Sequence, residues 1–87
     1  RLPAIHRVFL YLPLEHCEDL AVQETCVALF KALARQARHP QFDGFTRYAI
    51  AHRDVIARFG RFPHRNAALG RESSAAELAY LKVHSGF

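Results

Sequence analysis

A helical repeat of apolar residues in the third quarter of the chain constrains the fold more than any other feature. Between residues 45 and 59, apolar side chains recur every three or four residues, which places them on one face of an α-helix. They are Phe45, Tyr48, Ala49, Val55, Ile56 and Phe59, and His52 occupies the same stripe. Gly60 follows at once, where a left-handed C-cap favours a residue without a Cβ. The pattern predicts a helix that starts at Asp43 or Gly44 and ends at Phe59.

Two helices are predicted ahead of this one. Residues 3–12 repeat apolar side chains at helical spacing, and Pro13 should end the first helix at Leu12, because the residue before a proline avoids helical dihedrals. Residues 13–18 form a loop into the second helix, which gathers acids near its start and bases near its end, as the helix dipole favours. Cys26 lies in its broad apolar stripe and should be a small buried hydrophobic residue.

The connection after the third helix carries turn signals of its own. Phe62 and Pro63 predict a turn. Asn66 is expected to cap a single helical turn at residues 67–69, which Gly70 ends.

A fourth helix completes the fold. Ser74 and Glu77 form an S-x-x-E capping box, which predicts a helix near residues 75–83, and the tail should pack only through Phe87. No run of alternating polar and apolar residues predicts a strand. The sequence therefore predicts one all-α domain over residues 1–87, with four helices in helix–turn–helix pairs.

The net charge of +4 is concentrated in one segment. Residues 58–71 contain four arginines and no acid, and the rest of the chain balances eight basic against eight acidic residues. Ten of the twelve basic residues are arginine, which favours planar, bidentate recognition of a carboxylate or phosphate. A solvated arginine-rich loop is the alternative. Duplex-binding proteins spread Lys and Arg along a face, so nucleic acid is not expected as a partner.

The composition argues against several other classes of protein. No apolar run approaches the roughly 20 residues of a membrane span, and residues 1–15 lack a signal-peptide pattern, so a cytoplasmic protein without membrane contact is expected. Cys17 and Cys26 are expected to be free thiols. No metal site is predicted, because Cys17 has only His16 and Glu18 beside it as ligands. No cofactor motif is present.

Polar residues near two helix ends form the candidate site. If the second and third helices pack antiparallel across a short loop, the start of the second lies beside the end of the third. Side chains from both ends then converge. The candidate ligand-binding residues are His16, Glu18, His52, Arg61, His64, Arg65 and Asn66.

The first hypothesis for this site is a small anionic ligand. Arg61 and Arg65 would bind a carboxylate or phosphate, Asn66 would orient it, and Phe59 and Phe62 would supply an apolar wall.

Two other hypotheses remain open. In one, a hydrolase-like enzyme uses His64 or His52 as general acid–base with Glu18 as its partner, although no nucleophile is evident. In the other, the chain is a structural helical repeat module for protein interaction, and its arginines pair with acids of a missing segment or of a partner protein. His52 itself is either a half-buried structural histidine or a side chain aimed into a cleft.

Two long motifs carry a family resemblance. Residues 11–20, YLPLEHCEDL, resemble the signature YLP-x-x-HSEDL, and residues 52–66, HRDVIARFGRFPHRN, resemble HRD-x-I-x-RFGRFPHRN. Both signatures belong to the bacterial domain-of-unknown-function family 924. The chain departs from the pattern at Cys17, where the family usually has serine, at Ala75, where proline often opens the last helix, and in the ending at residues 85–87.

The resemblance implies a tetratricopeptide-like superhelical arrangement of helix pairs in a cytosolic bacterial protein, with no assigned reaction. It also implies that the chain is the C-terminal half of a longer helical domain, whose other half carries a related QFPRN motif. The face left by that half should then bind a protein partner or a second copy of the chain.

Overall fold

The computed structural model describes residues 3–84, which fold into four α-helices and one 3₁₀ turn. The helices are α1 (Ala4–Glu15), α2 (Leu20–Ala37), α3 (Pro40–Phe59) and α4 (Ala75–Val83), and the 3₁₀ turn is Pro63–Arg65. No strand occurs within this described range, which confirms the all-α prediction. Among the same residues, no helix combines the length and apolarity that crossing a membrane requires.

An antiparallel pair of helices, α2 and α3, forms the centre of the fold. Arg53 Nη1 lies 2.6 Å from Glu24 Oε1, and the hydroxyl of Thr46 donates to the carbonyl of Phe30 at 3.2 Å. These pairs run in opposite chain directions, as expected for a tight helical hairpin. The start of α2 therefore lies beside the end of α3, as the sequence predicted.

The predicted start of α3 was wrong, because the helix begins at Pro40 rather than at Asp43 or Gly44. Pro40 occupies the first helical position, where its missing N–H costs no hydrogen bond. His39 caps the helix, because its Nδ1 accepts a hydrogen bond from the amide of Gln41 at 3.1 Å. The proline that interrupts the apolar pattern thus starts the helix.

The predicted end of α1 was also wrong, since the helix continues through Pro13 to Glu15. A proline inside a helix loses the hydrogen bond of its own N–H and crowds the carbonyl four residues earlier, but it leaves the N–H groups of the following residues available. The amide of His16 still donates to the carbonyl of Leu12 at 3.3 Å, so the last turn closes. This extra turn carries Glu15 into the interior, where it is 1% exposed.

The other helix boundaries agree with the sequence. Gly60 ends α3 with a φ of 76°, and its amide donates to the carbonyl of Ile56 at 2.7 Å. Ser74 and Glu77 form the predicted capping box at the start of α4, with each side chain bound to the other's backbone N–H.

Two apolar clusters hold the helices together. The larger cluster joins α1, α2 and α3 and contains Val8, Cys26, Val27, Phe30, Leu33, Phe42 and Ala49. The smaller one packs Val55, Ile56 and Phe62 against Phe59 and Tyr80. Cys26 is fully buried and both cysteines are free, as predicted. The predicted packing of Phe87 lies outside the described residues.

One face of α1 remains exposed although it is apolar. Ile5, Phe9 and Leu10 are 40%, 66% and 59% exposed. Clustered exposed apolar side chains are typical of interaction sites.

Replacing Gly60, at the C-cap of α3, and Gly44, within α3, by alanine should change the free energy of unfolding in opposite directions. Gly60→Ala should lower the free energy of unfolding by about 1–2 kcal/mol, because an L-residue is strained at positive φ. Gly44→Ala should raise it by roughly 0.5–1 kcal/mol, since a Cβ there meets only the end of the Arg47 side chain at 3.9 Å. Urea unfolding of both variants measures the two values. If both substitutions changed the free energy of unfolding equally and in the same direction, the assignment of Gly60 as the C-cap of α3 would be contradicted.

Candidate functional site

The carboxylate of Glu18 joins the start of α2 to the segment after α3. Its Oε2 accepts the amide N–H of Phe62 at 2.7 Å, and both oxygens accept hydrogen bonds from the Arg71 guanidinium at 2.9 and 3.0 Å. These bonds, with that of Arg71 the strongest cause, lower the pKa of Glu18 to about 2. Glu18 is therefore ionised at neutral pH and holds the turn in place.

A second carboxylate, Glu77, binds the turn to α4. Arg61 donates to both oxygens of Glu77 at 2.8 Å and also to the carbonyl of Glu72 at 2.7 Å. Glu77 is 3% exposed, and its bidentate pair with Arg61 lowers its pKa to about 2. The Arg61 guanidinium is thus directed to α4.

Asn66 links these two ion pairs inside the turn. The side chain is 1% exposed, its Nδ2 donates to Ser73 Oγ at 3.0 Å and to Glu77 Oε1 at 3.4 Å, and its Oδ1 accepts from Arg71 Nε at 3.0 Å. The prediction that Asn66 caps a helical turn was wrong, because these partners draw its side chain inward. Gly70, with a φ of 68°, does end the turn.

The remaining candidate residues form one group, which we call the histidine–arginine cluster: His16, His52, His64 and Arg65. The rings of His52 and His64 lie 5.6 and 5.8 Å from the ring of the fully buried Phe62, measured between centroids. The guanidinium of Arg65 lies 4.7 Å from the same ring and donates to the carbonyl of His16 at 2.9 Å. The ring of His16 is 5.7 Å from that of His52. His16 and His64 are exposed, and His52 is buried.

The charges within this cluster affect its histidines. Burial lowers the pKa of His52, and the neighbouring His16, His64 and Arg65 lower it further. Partial burial and the charge of Arg65 lower the pKa of His64. These shifts favour the neutral forms of His52 and His64.

A buried carboxyl group that the sequence did not suggest lies behind His52. Glu15 Oε1 is 3.4 Å from His52 Nδ1, and that nitrogen also lies 2.8 Å from the carbonyl of Tyr48. The separation of Glu15 and His52 would suit an ion pair, but burial raises the pKa of Glu15 and lowers that of His52. Desolvation therefore shifts both groups towards their neutral forms.

Three further residues position the site and were not predicted to do so. Gln23 is fully buried, and its amide donates to the carbonyls of Glu15 and Cys17, which fixes the loop between α1 and α2. Arg71 and Glu77 supply the partners of Glu18 and Arg61. The capping box indicated a local role for Glu77, but no pattern indicated which arginine each carboxylate binds.

One set of side chains within residues 3–84 has the composition of a metal site. Glu15, His16 and His52 each offer one ligand atom, and these atoms lie within 4.8 Å of one another.

Taken together, the fold and the site define an all-α domain whose polar cluster is supported by two arginine–carboxylate pairs. The family model described as "Bacterial protein of unknown function (DUF924)" matches residues 1–85, and the chain belongs to this family. The resemblance drawn from the two sequence motifs is thereby confirmed. No curated protein matches the chain.

A solved structure has the same fold. It is the "Structure of Protein of Unknown Function ATU0120 from Agrobacterium tumefaciens", which is 38% identical in sequence and superposes with a TM-score of 0.76. The similarity covers 93% of this chain and 42% of that one, so this chain spans less than half the length of its structural relative.

The pair of Glu77 and Arg61 should make stability depend on pH. Because the folded state lowers the pKa of Glu77 from 4.5 to about 2, its contribution is present above the unfolded pKa and is lost as the pH falls through the folded one. Glu77→Gln should lower the melting temperature at neutral pH, and the difference from wild type should shrink as the pH falls from 4.5 towards 2. Calorimetric scans at several pH values measure this.

The matched control is Glu72→Gln, which neutralises an exposed acid nearby and keeps the backbone carbonyl that Arg61 uses. This variant should melt close to wild type. A difference between Glu77→Gln and wild type that stays constant down to the lowest pH would contradict the assigned role.

Proposed function

We propose that the domain binds a small anion at the histidine–arginine cluster. The observation that supports this is the difference in pairing between Arg65 and the two neighbouring arginines. Within residues 3–84, its guanidinium forms no ion pair, whereas those of Arg61 and Arg71 each bind a carboxylate. Arg65 is instead held by a backbone carbonyl and by the ring of Phe62.

The electrostatics of the turn favour an anion at this position. Glu18, whose pKa Arg65 helps to lower, already accepts two hydrogen bonds from Arg71. Within the part of the chain that the structure describes, Arg65 thus has no carboxylate of its own. The exposed ring of His64 lies near Arg65 and carries an N–H donor in its neutral form. A planar guanidinium with neighbouring donors suits a carboxylate, phosphate or sulfate group.

The proposed site contains fewer residues than the sequence suggested. Arg61 and Asn66 are committed to Glu77 and Arg71 inside the turn, so their role is to support the site. Phe59 packs against Tyr80 at 5.2 Å, measured between ring centroids, and belongs to the smaller core. The anion would contact Arg65 and His64, and the fixed turn would hold these side chains in position.

Acid–base catalysis with Glu18 is less well supported. The carboxylate of Glu18 is bound by Arg71 and by the amide of Phe62, and its pKa is about 2. Such a group is a weak proton acceptor at neutral pH, so Glu18 does not suit the acid–base role proposed for it from the sequence. Anion binding therefore stays the first proposal.

Sulfate binding tests the proposal. Sulfate stabilises most proteins through its exclusion from their surface, so the informative quantity is the difference between variants. Wild type and Arg35→Gln, which removes an exposed arginine of α2, should gain the same sulfate-dependent rise in melting temperature, and Arg65→Gln should gain less. Sulfate at ten times its Kd would contribute about 1.4 kcal/mol to wild type.

The comparison uses thermal melts in sodium sulfate and in sodium chloride at equal ionic strength. Each increment is measured from the variant's own melting temperature in chloride, so a less stable Arg65→Gln protein remains informative. Equal sulfate increments in the three proteins would overturn the proposal.

Protein interaction is a second proposed function, supported by the apolar face of α1. Ile5, Phe9 and Leu10 are exposed there, and the structural relative is more than twice as long as the matched region. We propose that a further segment of protein covers this face in a longer family member. The same proposal includes a tetratricopeptide-like superhelix and a cytoplasmic location. It also places this chain in the C-terminal half of a larger domain.

Self-association of the 87-residue chain tests this second function. Light scattering after gel filtration should give a mass that rises above 9.9 kDa as concentration increases. Leu10→Ser should reduce this rise, whereas Leu69→Ser, at a 60% exposed position in the turn, should leave it unchanged. A mass of 9.9 kDa at every concentration would contradict it.

A further inference from the structure

The end of α1 and the middle of α3 bring together three side chains that are common metal ligands. Glu15, His16 and His52 place one ligand atom each within 4.8 Å of the others. Around a tetrahedral zinc ion with bonds of about 2.0–2.1 Å, ligand atoms lie about 3.3 Å apart. Side-chain rotations that shorten separations of at most 4.8 Å to this spacing would close the set.

The two histidine rings are held as metal-binding histidines usually are. His16 Nδ1 lies 2.9 Å from the carbonyl of Leu12, and His52 Nδ1 lies 2.8 Å from the carbonyl of Tyr48. In both cases the carbonyl is four residues earlier in the same helix. Hydrogen bonds from one ring nitrogen to a backbone carbonyl fix the ring orientation and the tautomer, and place the lone pair on the other nitrogen.

Glu15 provides an independent indication of a ligand. Its side chain is 1% exposed, and Oε1 is buried without a hydrogen-bond partner among the described residues. A buried polar atom left without a partner destabilises the folded state. A bound cation would satisfy this oxygen.

We propose that Glu15, His16 and His52 form a binding site for a divalent transition-metal ion of the zinc class. Two imidazole nitrogens and one carboxylate oxygen suit zinc or cobalt better than calcium or magnesium, which prefer oxygen ligands. Three protein ligands leave a fourth position for water or for an anion. The site goes beyond the proposed anion function and does not depend on it.

Titration with cobalt and zinc tests this site. Protein stripped with a chelator and transferred to metal-free buffer should bind one equivalent of Co²⁺, with visible absorption of the intensity typical of four-coordinate cobalt, and Zn²⁺ should displace it. His16→Gln removes an exposed ligand, so the protein should fold normally and bind at least tenfold more weakly. Glu15→Gln, which is nearly isosteric, should also weaken binding.

Two control variants define the ligand set. His6→Gln removes an exposed histidine from the same helix as Glu15, and Cys17→Ser removes the thiol next to His16. Both should bind Co²⁺ within a few-fold of wild type. Equal binding by wild type and His16→Gln, or a thiolate charge-transfer band that Cys17→Ser abolishes, would overturn the proposal.

Discussion

The position of the whole polar site depends on the carboxylate of Glu18. It stands at the start of α2 and accepts the amide of Phe62 together with two hydrogen bonds from Arg71. The turn after α3 has little regular structure of its own, so a charge-assisted contact to another element is what orders it. Once Phe62 is fixed, its buried ring supports His64 and Arg65 at the surface.

Arg61, Arg65 and Arg71 have two different physical roles, although all three lie in the same basic segment. Arg61 and Arg71 bind buried or half-buried carboxylates and are part of the structure. Arg65 is held over Phe62 and by the carbonyl of His16, and its guanidinium forms no ion pair within residues 3–84. The segment after α3 thus contains both the arginines that stabilise the turn and the arginine of the proposed binding surface.

Much of the fold could be predicted because its signals are local. Helical periodicity and a glycine at the C-cap placed the end of α3 at Gly60, and the antiparallel hairpin then brought the polar residues together. The end of α1 was predicted wrongly because a proline can lie inside a helix as well as end one. Pro13 lies inside α1, and the last turn of this helix buries Glu15. The pairing of Arg61 and Arg71 with their carboxylates depends on tertiary distances, which the spacing of residues along the chain does not contain.

The central claim, that Glu18 holds the turn through the backbone of Phe62, is tested most directly by amide hydrogen exchange. In wild type, the Phe62 amide should be protected, because its N–H is bonded to a half-buried carboxylate at 2.7 Å. In Glu18→Ala this protection should be lost, while the amide of Gly60, bonded to Ile56 within α3, stays protected. A Phe62 amide that exchanges rapidly in wild type, or that stays protected in Glu18→Ala, would contradict the account.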